Sequence, residues 1–397
     1  MEQSSRQGQT STLPADPPPG MFALLAGFLC IEFLLAVVCL NGPHFGSDFA
    51  EFWAASRLGL AGHATDIYNG AILVQTERIV TPALRDGTPW FYPPTFYLVV
   101  LPLSLLPYKL AYWAFEIATL TFFLLVSRRV TRNRTALWCL AASPGLWINL
   151  LYGQNGFLTA ALAGSALLSL KRRPILAGVF IGLLAIKPHL ALLFPVALIA
   201  IGAWRTFASA AITTVAFVLV SVRVMGSAAL KQTFASLGYA RALLEDGACR
   251  EKMPTVFSFL RFLGTPLRAA YALHALVAML AIAAVWKVWR SCDDWRLRGA
   301  SLMTATLMVS PYMQVYDLTW LALPILWLSL AGLHSGWIRG ERPTLIAAWL
   351  LPLPMAWVAT TTHLQTGPWI LGALLGVTLR RAIASREVAK PGLAYAT

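Results

Sequence analysis

Some of the polar residues that interrupt the apolar stretches can transfer protons or bind hydroxyl groups. Asp48 follows the first long apolar stretch by a few residues, in the segment Gly46-Ser47-Asp48-Phe49. A carboxylate there can remove the proton of a hydroxyl group that attacks an activated substrate. Gln154 and Asn155 stand between two glycines, and their amides can hydrogen-bond sugar hydroxyls, while the glycine backbone can approach a phosphate. These residues are candidates for acid–base chemistry and for substrate binding.

A second group of polar residues indicates phosphate binding. Lys187 stands before Pro188 and His189 at a junction between two apolar stretches, with no acidic residue nearby in the sequence. A fixed ammonium group at this place suits a lipid phosphate, and Pro188 opens the next helix with its N–H groups pointing the same way. Further hydrogen-bonding groups are concentrated in residues 310–317, which include Tyr316 and Asp317.

Each of these segments also has a structural interpretation. Asp48 and Asp317 can each cap the helix that follows. The aromatic and proline residues of 90–95 suit an interfacial anchor at a helix start. The segment 152–156 can be a plain turn, and a lysine such as Lys187 often extends its charge to the membrane surface. Spacing alone leaves these alternatives open.

The composition places these segments in a membrane protein. Of 397 residues, 58% are apolar and 12% are charged, against about 45–50% and about 25% in soluble proteins. The net charge of +14 comes from short basic clusters between apolar stretches, where it sets orientation, so nucleic-acid binding is not expected. The sequence predicts an all-α, polytopic integral membrane protein.

The apolar stretches predict about twelve transmembrane helices. The stretches lie at roughly 21–40, within 91–127, and at 135–150, 157–170, 174–187, 189–203, 206–224, 269–286, 299–312, 318–334, 343–361 and 368–379. Four basic clusters are expected in the cytoplasm, which places both termini inside. They lie at 128–134, 171–173, 287–298 and 380–390. The segments around Gln154, Lys187 and Asp317 then lie at the outer face.

The expected organisation is a single membrane domain, 21–380, between two cytoplasmic tails. The tail 1–20 is polar and proline-rich, which predicts disorder, and 381–397 form the other tail. Outer loops at about 41–90 and about 225–268 are expected to contain short amphipathic helices. One of them is predicted from the near-helical spacing of four large residues beside polar ones. These residues are Phe49, Phe52, Trp53 and Leu58.

The stretch 91–127 is too long for one helix and short for two. Four prolines in its first half predict that 91–107 is interfacial or re-entrant, because proline removes a donor and breaks helices. A tight hairpin, which would reverse the later topology, is the alternative.

Several common sites are absent from the sequence. The five cysteines show no paired spacing, so neither a disulfide framework nor a metal knuckle is predicted. No P-loop, GxGxxG, HExxH or GxSxG motif occurs, so nucleotide hydrolysis and the common hydrolase mechanisms have no support. Metal dependence stays open, since scattered acidic residues make no divalent-ion site visible.

Taken in order, the segments resemble glycosyltransferase family 87, integral-membrane enzymes of GT-C type that use polyprenyl-phosphate mannose or a related lipid-linked sugar. The resemblance covers about residues 25–335. The elements that carry it are Ser47-Asp48-Phe49 with Phe52-Trp53, Gly62, Asp66-Ile67-Tyr68, Phe91-Tyr92-Pro93-Pro94, Gly153-Gln154-Asn155, Lys187-Pro188, and Ser310-Pro311 with Tyr316-Asp317. Relatives commonly have a histidine in the Ser310-Pro311 segment. This chain has no histidine there, and His189 does not simply replace it.

The resemblance implies an inverting hexosyltransferase at the outer face of the inner membrane. A hexose, mannose by the family's pattern, would pass from a polyprenyl-phosphate donor to a glycolipid or glycan acceptor, with Asp48 as general base. Gln154, Asn155 and Tyr92 would line the sugar pocket, and Lys187, helped by a basic residue of 225–268, would bind the phosphate. His189, Tyr316 and Asp317 are further candidates for binding the donor.

Two other functions remain open from the sequence. A transporter or flippase of lipid-linked sugars predicts ionisable groups at mid-membrane, and Glu32 and Glu116 lie within or near spans. A polysaccharide polymerase or ligase shares the outer-face geometry and differs in its acceptor.

Overall fold

A computed structural model describes residues 19–42, 45–83 and 87–389. Every regular element in these ranges is helical, as the sequence predicts. Residues 1–18 of the predicted disordered tail, and Lys390 with the remainder of the second tail, lie outside the described residues. Helix α1 already begins at Pro19, and the last helix continues to Ala389.

The first part of the chain forms one long helix, two short ones beside it and the helices of the proline-rich stretch. Their bounds are α1 Pro19–Leu40, α2 Ser47–Leu60, α3 Gly70–Glu77, α4 Pro94–Val100 and α5 Tyr108–Val130. Short 3₁₀ helices occur at Asp66–Tyr68 and Leu103–Leu105.

The middle of the chain consists of short helices followed by one long helix and two helices of the 225–268 loop. Their bounds are α6 Arg134–Ala141, α7 Pro144–Tyr152, α8 Gly156–Ser169, α9 Pro174–Leu183, α10 Leu193–Ala200, α11 Trp204–Met225, α12 Ala228–Asp246 and α13 Val256–Phe262. Further 3₁₀ helices occur at Leu184–Ile186, Pro188–Leu190 and Arg250–Lys252.

The last part of the chain returns to longer helices. Their bounds are α14 Leu267–Ser291, α15 Trp295–Val309, α16 Ala322–Ser335, α17 Glu341–Leu350, α18 Met355–Thr362 and α19 Gly367–Ala389. A 3₁₀ helix, Val315–Leu321, leads directly into α16.

Five stretches of the described residues are long and apolar enough to cross a membrane, and the pair α17–α18, bent by 84°, makes a sixth if it is one span. The five are Phe22–Leu40, Tyr108–Val130, Trp204–Met225, Leu267–Ser291 and Val315–Ser335. Large apolar side chains are exposed on α1 and α11, among them Leu24, Val38 and Ile212, as expected where helices face lipid. These features support a polytopic membrane protein, but the count stays below the predicted twelve.

The shortfall comes from helix breaks and from unbroken helices that are shorter than an upright span, such as α8 with 14 residues and α15 with 15. Pro144 divides the predicted span 135–150 into α6 and α7, because proline cannot continue a preceding helix. The predicted spans 174–187 and 189–203 each contain a 3₁₀ helix beside a short α-helix. Such segments are shorter than the about 20 residues of an upright span, and helices beside them supply their packing.

The proline-rich stretch contains two α-helices, with the 3₁₀ helix Leu103–Leu105 between them. Helix α4 has only seven residues, and α5 begins at Tyr108 after Pro107. Within α4, Thr95 is buried and its hydroxyl donates to the carbonyl oxygen of Ala185 at 2.7 Å. The first half of the stretch is therefore a short helix enclosed by protein, and the second half is one span.

Helix α2 forms where the sequence predicts a short helix, but its environment differs from the prediction. All residues from Phe49 to Ser56 are buried, so the helix does not lie with one face on a membrane surface. Its phenylalanines pack against rings from the segment before α4, from α4 itself and from α5, with Phe52 and Phe96 centred 4.8 Å apart. Edge-to-face pairs of this kind contribute about 0.5–1.5 kcal/mol each beyond burial, and they fix α2 in place.

Candidate functional site

A cavity lies where α2, the segment before α4, the turn after α7 and the segments around 187 and 314 meet. Six of the eight residues predicted from the sequence line it, namely Tyr92, Gln154, Lys187, His189, Tyr316 and Asp317. The other lining residues are Glu51, Thr88, Pro89, Phe91, Pro93, Ile186, Pro188, Tyr312 and Gln314. Asp48 and Asn155 do not line it, so the fold brings together most of the predicted set.

The turn after α7 is held against α2 by close contacts. Gly153 has φ +70°, and a Cβ atom at this residue would lie 2.6 Å from Cβ of Phe49, so only glycine fits. The side chain of Asn149 fixes both ends of the turn: its amide donates to the carbonyl oxygen of Gln154 at 2.9 Å, and its oxygen accepts from the N–H of Gly156 at 2.8 Å. The turn is therefore a rigid support for Gln154.

Gln154 connects the cavity to the predicted base. It is buried, its Oε1 accepts from the hydroxyl of Tyr92 at 3.0 Å, and its Nε2 donates to Oδ2 of Asp48 at 3.1 Å. The amide can thus hold Tyr92 and Asp48 in fixed positions at the same time. Three residues selected separately from the sequence form one hydrogen-bonded chain.

Asp48 lies in the first turn of α2, and its side chain does not cap the helix. The N-cap position is Gly46, in a left-handed conformation, with no side-chain cap, so the capping interpretation is wrong. The carboxylate is half-buried, accepts from Gln154 and is 3.4 Å from the hydroxyl of Ser47. Burial raises its pKa above the ordinary value of 3.8, although the Gln154 hydrogen bond and the charge of Lys252 oppose the rise.

Lys187 forms a buried ion pair. Its Nζ lies 2.5 Å from Oδ1 of Asp317, and both residues are buried. The ammonium group also lies 4.8 Å from the ring centre of Tyr316, within the range of a cation–π contact. Sequence spacing does not indicate this acidic partner, because the two residues are 130 positions apart.

Asp317 is not the N-cap of a helix that begins after it, as one interpretation predicts, because it is the third residue of a 3₁₀ helix whose N-cap is Gln314. Its Oδ2 accepts from the N–H of Gln314 at 3.1 Å, within a capping box at the start of the 3₁₀ helix Val315–Leu321. The same carboxylate therefore fixes the helix start and pairs with Lys187. Capping and a place in the site are compatible.

The remaining predicted residues differ in position. His189 lines the cavity, and its Nε2 has no hydrogen-bond partner among the described residues. Asn155 is fully buried, and neither atom of its amide has a partner there. The sequence predicts that Asn155 lines the pocket together with Gln154, but only Gln154 lines the cavity.

Four basic residues of the 225–268 loop are candidates for binding the phosphate, namely Arg241, Arg250, Lys252 and Arg261. Lys252 lies nearest to the site. Its Nζ is 5.0 Å from the ring centre of Tyr152, which in turn lies beside Tyr316. The other three make contacts within their own region. Arg241 pairs with Glu245, Arg261 donates to the carbonyl oxygen of Thr265, and Arg250 lies over the ring of Phe262.

Glu51 is a cavity residue to which the sequence analysis assigns no role. It is 1% exposed, and its Oε1 has no hydrogen-bond partner among the described residues. Burial, and next the charges of Glu77 and Asp48, raise its pKa well above the ordinary value. Its spacing of three residues from Asp48, which places both on one face of a helix, is the signal that could have found it.

The acidic residues in the described part of the chain are not arranged as a metal site. Within the described ranges, no group of three or more His, Cys, Asp or Glu side chains is placed to hold a metal ion. The cavity instead combines a buried cation, phenols, an amide and carboxyl groups. Such a set can bind hydroxyl groups, neutralise an anion and accept a proton.

Comparison with known proteins identifies the family. The chain matches no curated protein and no solved structure. The family model described as glycosyltransferase family 87 matches residues 90–311, a narrower range than the predicted 25–335. The match includes Tyr92, Gln154, Lys187 and His189, whereas Asp48 and Asp317 lie outside it. Because it spans more than half of the sequence, the chain belongs to glycosyltransferase family 87.

Proposed function

We propose that this glycosyltransferase moves a hexose, mannose, from a polyprenyl-phosphate donor to a glycolipid or glycan acceptor, with inversion, at the outer face of the inner membrane. Family membership makes it a glycosyltransferase with a donor and an acceptor. The observation that supports the proposed mechanism at this cavity is the hydrogen bond from Gln154 to Asp48. It joins a carboxylate at the edge of the cavity to a site that also contains a buried cation.

Asp48 is the proposed general base. In an inverting transfer, the acceptor hydroxyl attacks from the side opposite the leaving group, and one carboxylate takes its proton. Asp48 is half-buried and stands behind Gln154, beside the cavity rather than inside it. This position suits an acceptor that approaches from outside a donor sugar held in the cavity.

Lys187 is the proposed counter-charge of the departing phosphate. Asp317 takes one N–H of its ammonium group, and a lysine has three. The other two are available to phosphate oxygens, where charge-assisted hydrogen bonds are strong. His189, which lines the same cavity, and Lys252, beside Tyr152, are proposed to assist.

The sugar is proposed to bind among Tyr92, Gln154 and Tyr316, which line the cavity. Tyrosine rings pack against the apolar faces of sugars, and an amide hydrogen-bonds their hydroxyls. Asn155, in the adjacent position, stays a predicted binding residue whose amide must become accessible.

The outer-face orientation rests on the positions of the basic clusters. Helix α5 begins where Tyr108 donates to the carbonyl oxygen of Gly46, near Asp48, and has Arg128 and Arg129 in its last turn. Arg290, at the end of α14, reaches the carbonyl oxygen of Ala200 at the end of α10. If the shorter helices complete twelve crossings, every cluster lies at the end opposite the cavity, and basic residues favour the cytoplasm.

Transfer from a labelled donor tests the proposal. The purified protein in liposomes would receive labelled polyprenyl-phosphate mannose and an extract of membrane glycolipids. We expect labelled product with the opposite anomeric configuration, made only when donor and protein face the same compartment. Label that crosses the bilayer unchanged would instead indicate a flippase, and products of increasing length would indicate a polymerase.

A further inference from the structure

Glu51 is the buried carboxyl group of the cavity that the proposed mechanism does not use. It lies one turn after Asp48 on α2, lines the cavity and is 1% exposed. Its Oε1 has no hydrogen-bond partner within the described ranges. A buried polar atom without a partner is costly, and because Glu51 lines the cavity, a molecule bound there can supply the missing hydrogen bond.

Neighbouring groups in the cavity already have partners. The hydroxyl of Tyr92 donates to Gln154, the amide of Gln154 donates to Asp48, and Lys187 pairs with Asp317. Oε1 of Glu51 and Nε2 of His189 are the side-chain atoms of lining residues that are both buried and without a hydrogen bond in the described part of the chain. An incoming molecule would therefore meet unused hydrogen-bonding capacity at these two atoms, in addition to the remaining N–H groups of Lys187.

We infer that Glu51 determines specificity for the donor sugar by hydrogen-bonding one hydroxyl group of the hexose held in the cavity. The inference rests on the proposed function and adds to it a residue and the group that this residue recognises. Asp48 acts on the acceptor, whereas Glu51 holds the donor. A site built to hydrogen-bond a hydroxyl rejects an analogue that lacks it, because its own buried group is then left unpaired.

The protonation of Glu51 agrees with this role. Burial and the neighbouring carboxylates of Glu77 and Asp48 raise its pKa, and Lys187 acts in the opposite direction to a smaller extent. A protonated carboxyl group offers one donor and one acceptor, which matches a sugar hydroxyl. Glutamine offers the same pair of functions and leucine offers neither, so the two substitutions separate hydrogen bonding from packing.

Kinetics with deoxy donors test the inference. Glu51→Gln and Glu51→Leu would be compared with the wild type on polyprenyl-phosphate mannose and on its 2-, 3-, 4- and 6-deoxy analogues. Glu116→Gln is the matched control, because Glu116 is also buried with unpartnered oxygens but does not line the cavity. Unfolding temperatures in detergent would show that each variant is folded.

We expect Glu51→Leu to lower kcat/KM on the intact donor by roughly tenfold to a hundredfold, the range for an unpaired buried polar group, and Glu51→Gln to recover most of it. One deoxy analogue should lower the wild-type value by a similar factor and lower that of Glu51→Leu no further. Equal losses on every analogue in both proteins would overturn the inference. So would inactivity of Glu51→Gln as complete as that of Asp48→Asn, which would identify Glu51 as a required carboxylate.

Failure of the proposed donor would be recognised separately. If the wild type transfers no sugar from a polyprenyl phosphate, unfolding would be measured with methyl mannoside, methyl glucoside and methyl galactoside. Stabilisation of the wild type and of Glu116→Gln, but not of Glu51→Leu, would support sugar binding by Glu51. The same shift in all three proteins, or no shift in the wild type, would overturn it.

Discussion

Two buried ion pairs, one at each end of the molecule, differ in how completely they are hydrogen-bonded. Arg381 and Glu341 lie at the end opposite the cavity, where the guanidinium group also donates to the hydroxyl of Ser335 at 2.8 Å and to the carbonyl oxygen of Gly336 at 2.7 Å. Lys187, at the cavity, has one hydrogen bond among the described residues, to Asp317. The first pair is complete, whereas the second has unused donors facing a cavity.

The difference separates a structural pair from a functional one. A buried charge is tolerated when good geometry and further hydrogen bonds offset its desolvation, as they do around Arg381. At the cavity, Lys187, Glu51 and His189 keep unused hydrogen-bonding capacity. Groups of this kind cost stability in the empty protein and are retained where a ligand completes them.

Arg381→Met is expected to have the largest effect on stability. Removal of one partner leaves Glu341 as an unpaired buried charge, which costs about 3–5 kcal/mol. Chemical unfolding in detergent measures this loss, and Arg380→Met is the matched control because Arg380 is exposed. The second substitution Glu341→Leu should restore both stability and activity. If the Arg381→Met protein were as stable as the wild type, the ion pair of Arg381 and Glu341 would not have the structural role that the comparison gives it.

Lys187→Met is expected to reduce activity, and activity should stay low even when a second substitution restores stability. Removing a group that stabilises developing charge lowers kcat by roughly 10²–10³. Adding Asp317→Asn removes the unpaired buried charge and should restore stability, but transfer should stay low. Recovery of activity in this double variant would show that Lys187 is as structural as Arg381.

Glu77 is expected to make the stability of the cavity end depend on pH. Its carboxyl group is fully buried, and burial raises its pKa from 4.5 to about 7, opposed by the hydrogen bond from Thr88. Between these values the folded protein keeps a proton that the unfolded chain has lost, so stability falls as the pH rises. At about 1.4 kcal/mol per pKa unit, the loss amounts to about 3 kcal/mol.

Unfolding in detergent at pH 5 and pH 8 measures this dependence. Glu77→Gln should be less pH-dependent than the wild type, mainly through greater stability at pH 8. Identical pH dependence in the two proteins would show that the pKa of Glu77 is not raised in the folded protein. Burial of this carboxyl group would then cost the cavity end less stability than the comparison implies.

Tyr92→Phe is expected to have the smallest effect. It removes one neutral hydrogen bond, to Gln154, worth about 0.5–1.5 kcal/mol, so kcat/KM should fall about threefold to tenfold. Tyr97→Phe is the control, because Tyr97 is also buried but does not line the cavity. Equal effects of the two substitutions would indicate packing rather than positioning of Gln154.

The sequence predicts the helical class, the family and six of the fifteen residues that line the cavity, because each depends on local composition and order. It predicts α5 after a proline-rich start, and it predicts a helix at α2. It does not predict that α2 is enclosed by aromatic rings from 90–112, since helical spacing is the same for a buried helix and a surface one.

The contacts that make these residues a site are the part that sequence cannot supply. Gln154 and Asp48 are 106 positions apart, and Lys187 and Asp317 are 130 positions apart. Hydrophobic periodicity gives no information on contacts between residues so far apart in the sequence. The number of crossings does not follow from the apolar pattern either, because an apolar stretch has the same composition whether it is one helix or two short helices divided by proline.

Replacement of Asp48 by asparagine tests the central claim most directly. The asparagine variant keeps the hydrogen-bonding shape around Gln154 but cannot accept a proton, so sugar transfer should fall by roughly 10²–10⁴ while the protein stays folded. Asp246→Asn, the same change at an exposed residue beyond the cavity, should transfer at the wild-type rate. Transfer by a folded Asp48→Asn protein at a rate near that of the wild type would contradict Asp48 as the base, and with it the assignment of this cavity as the active site.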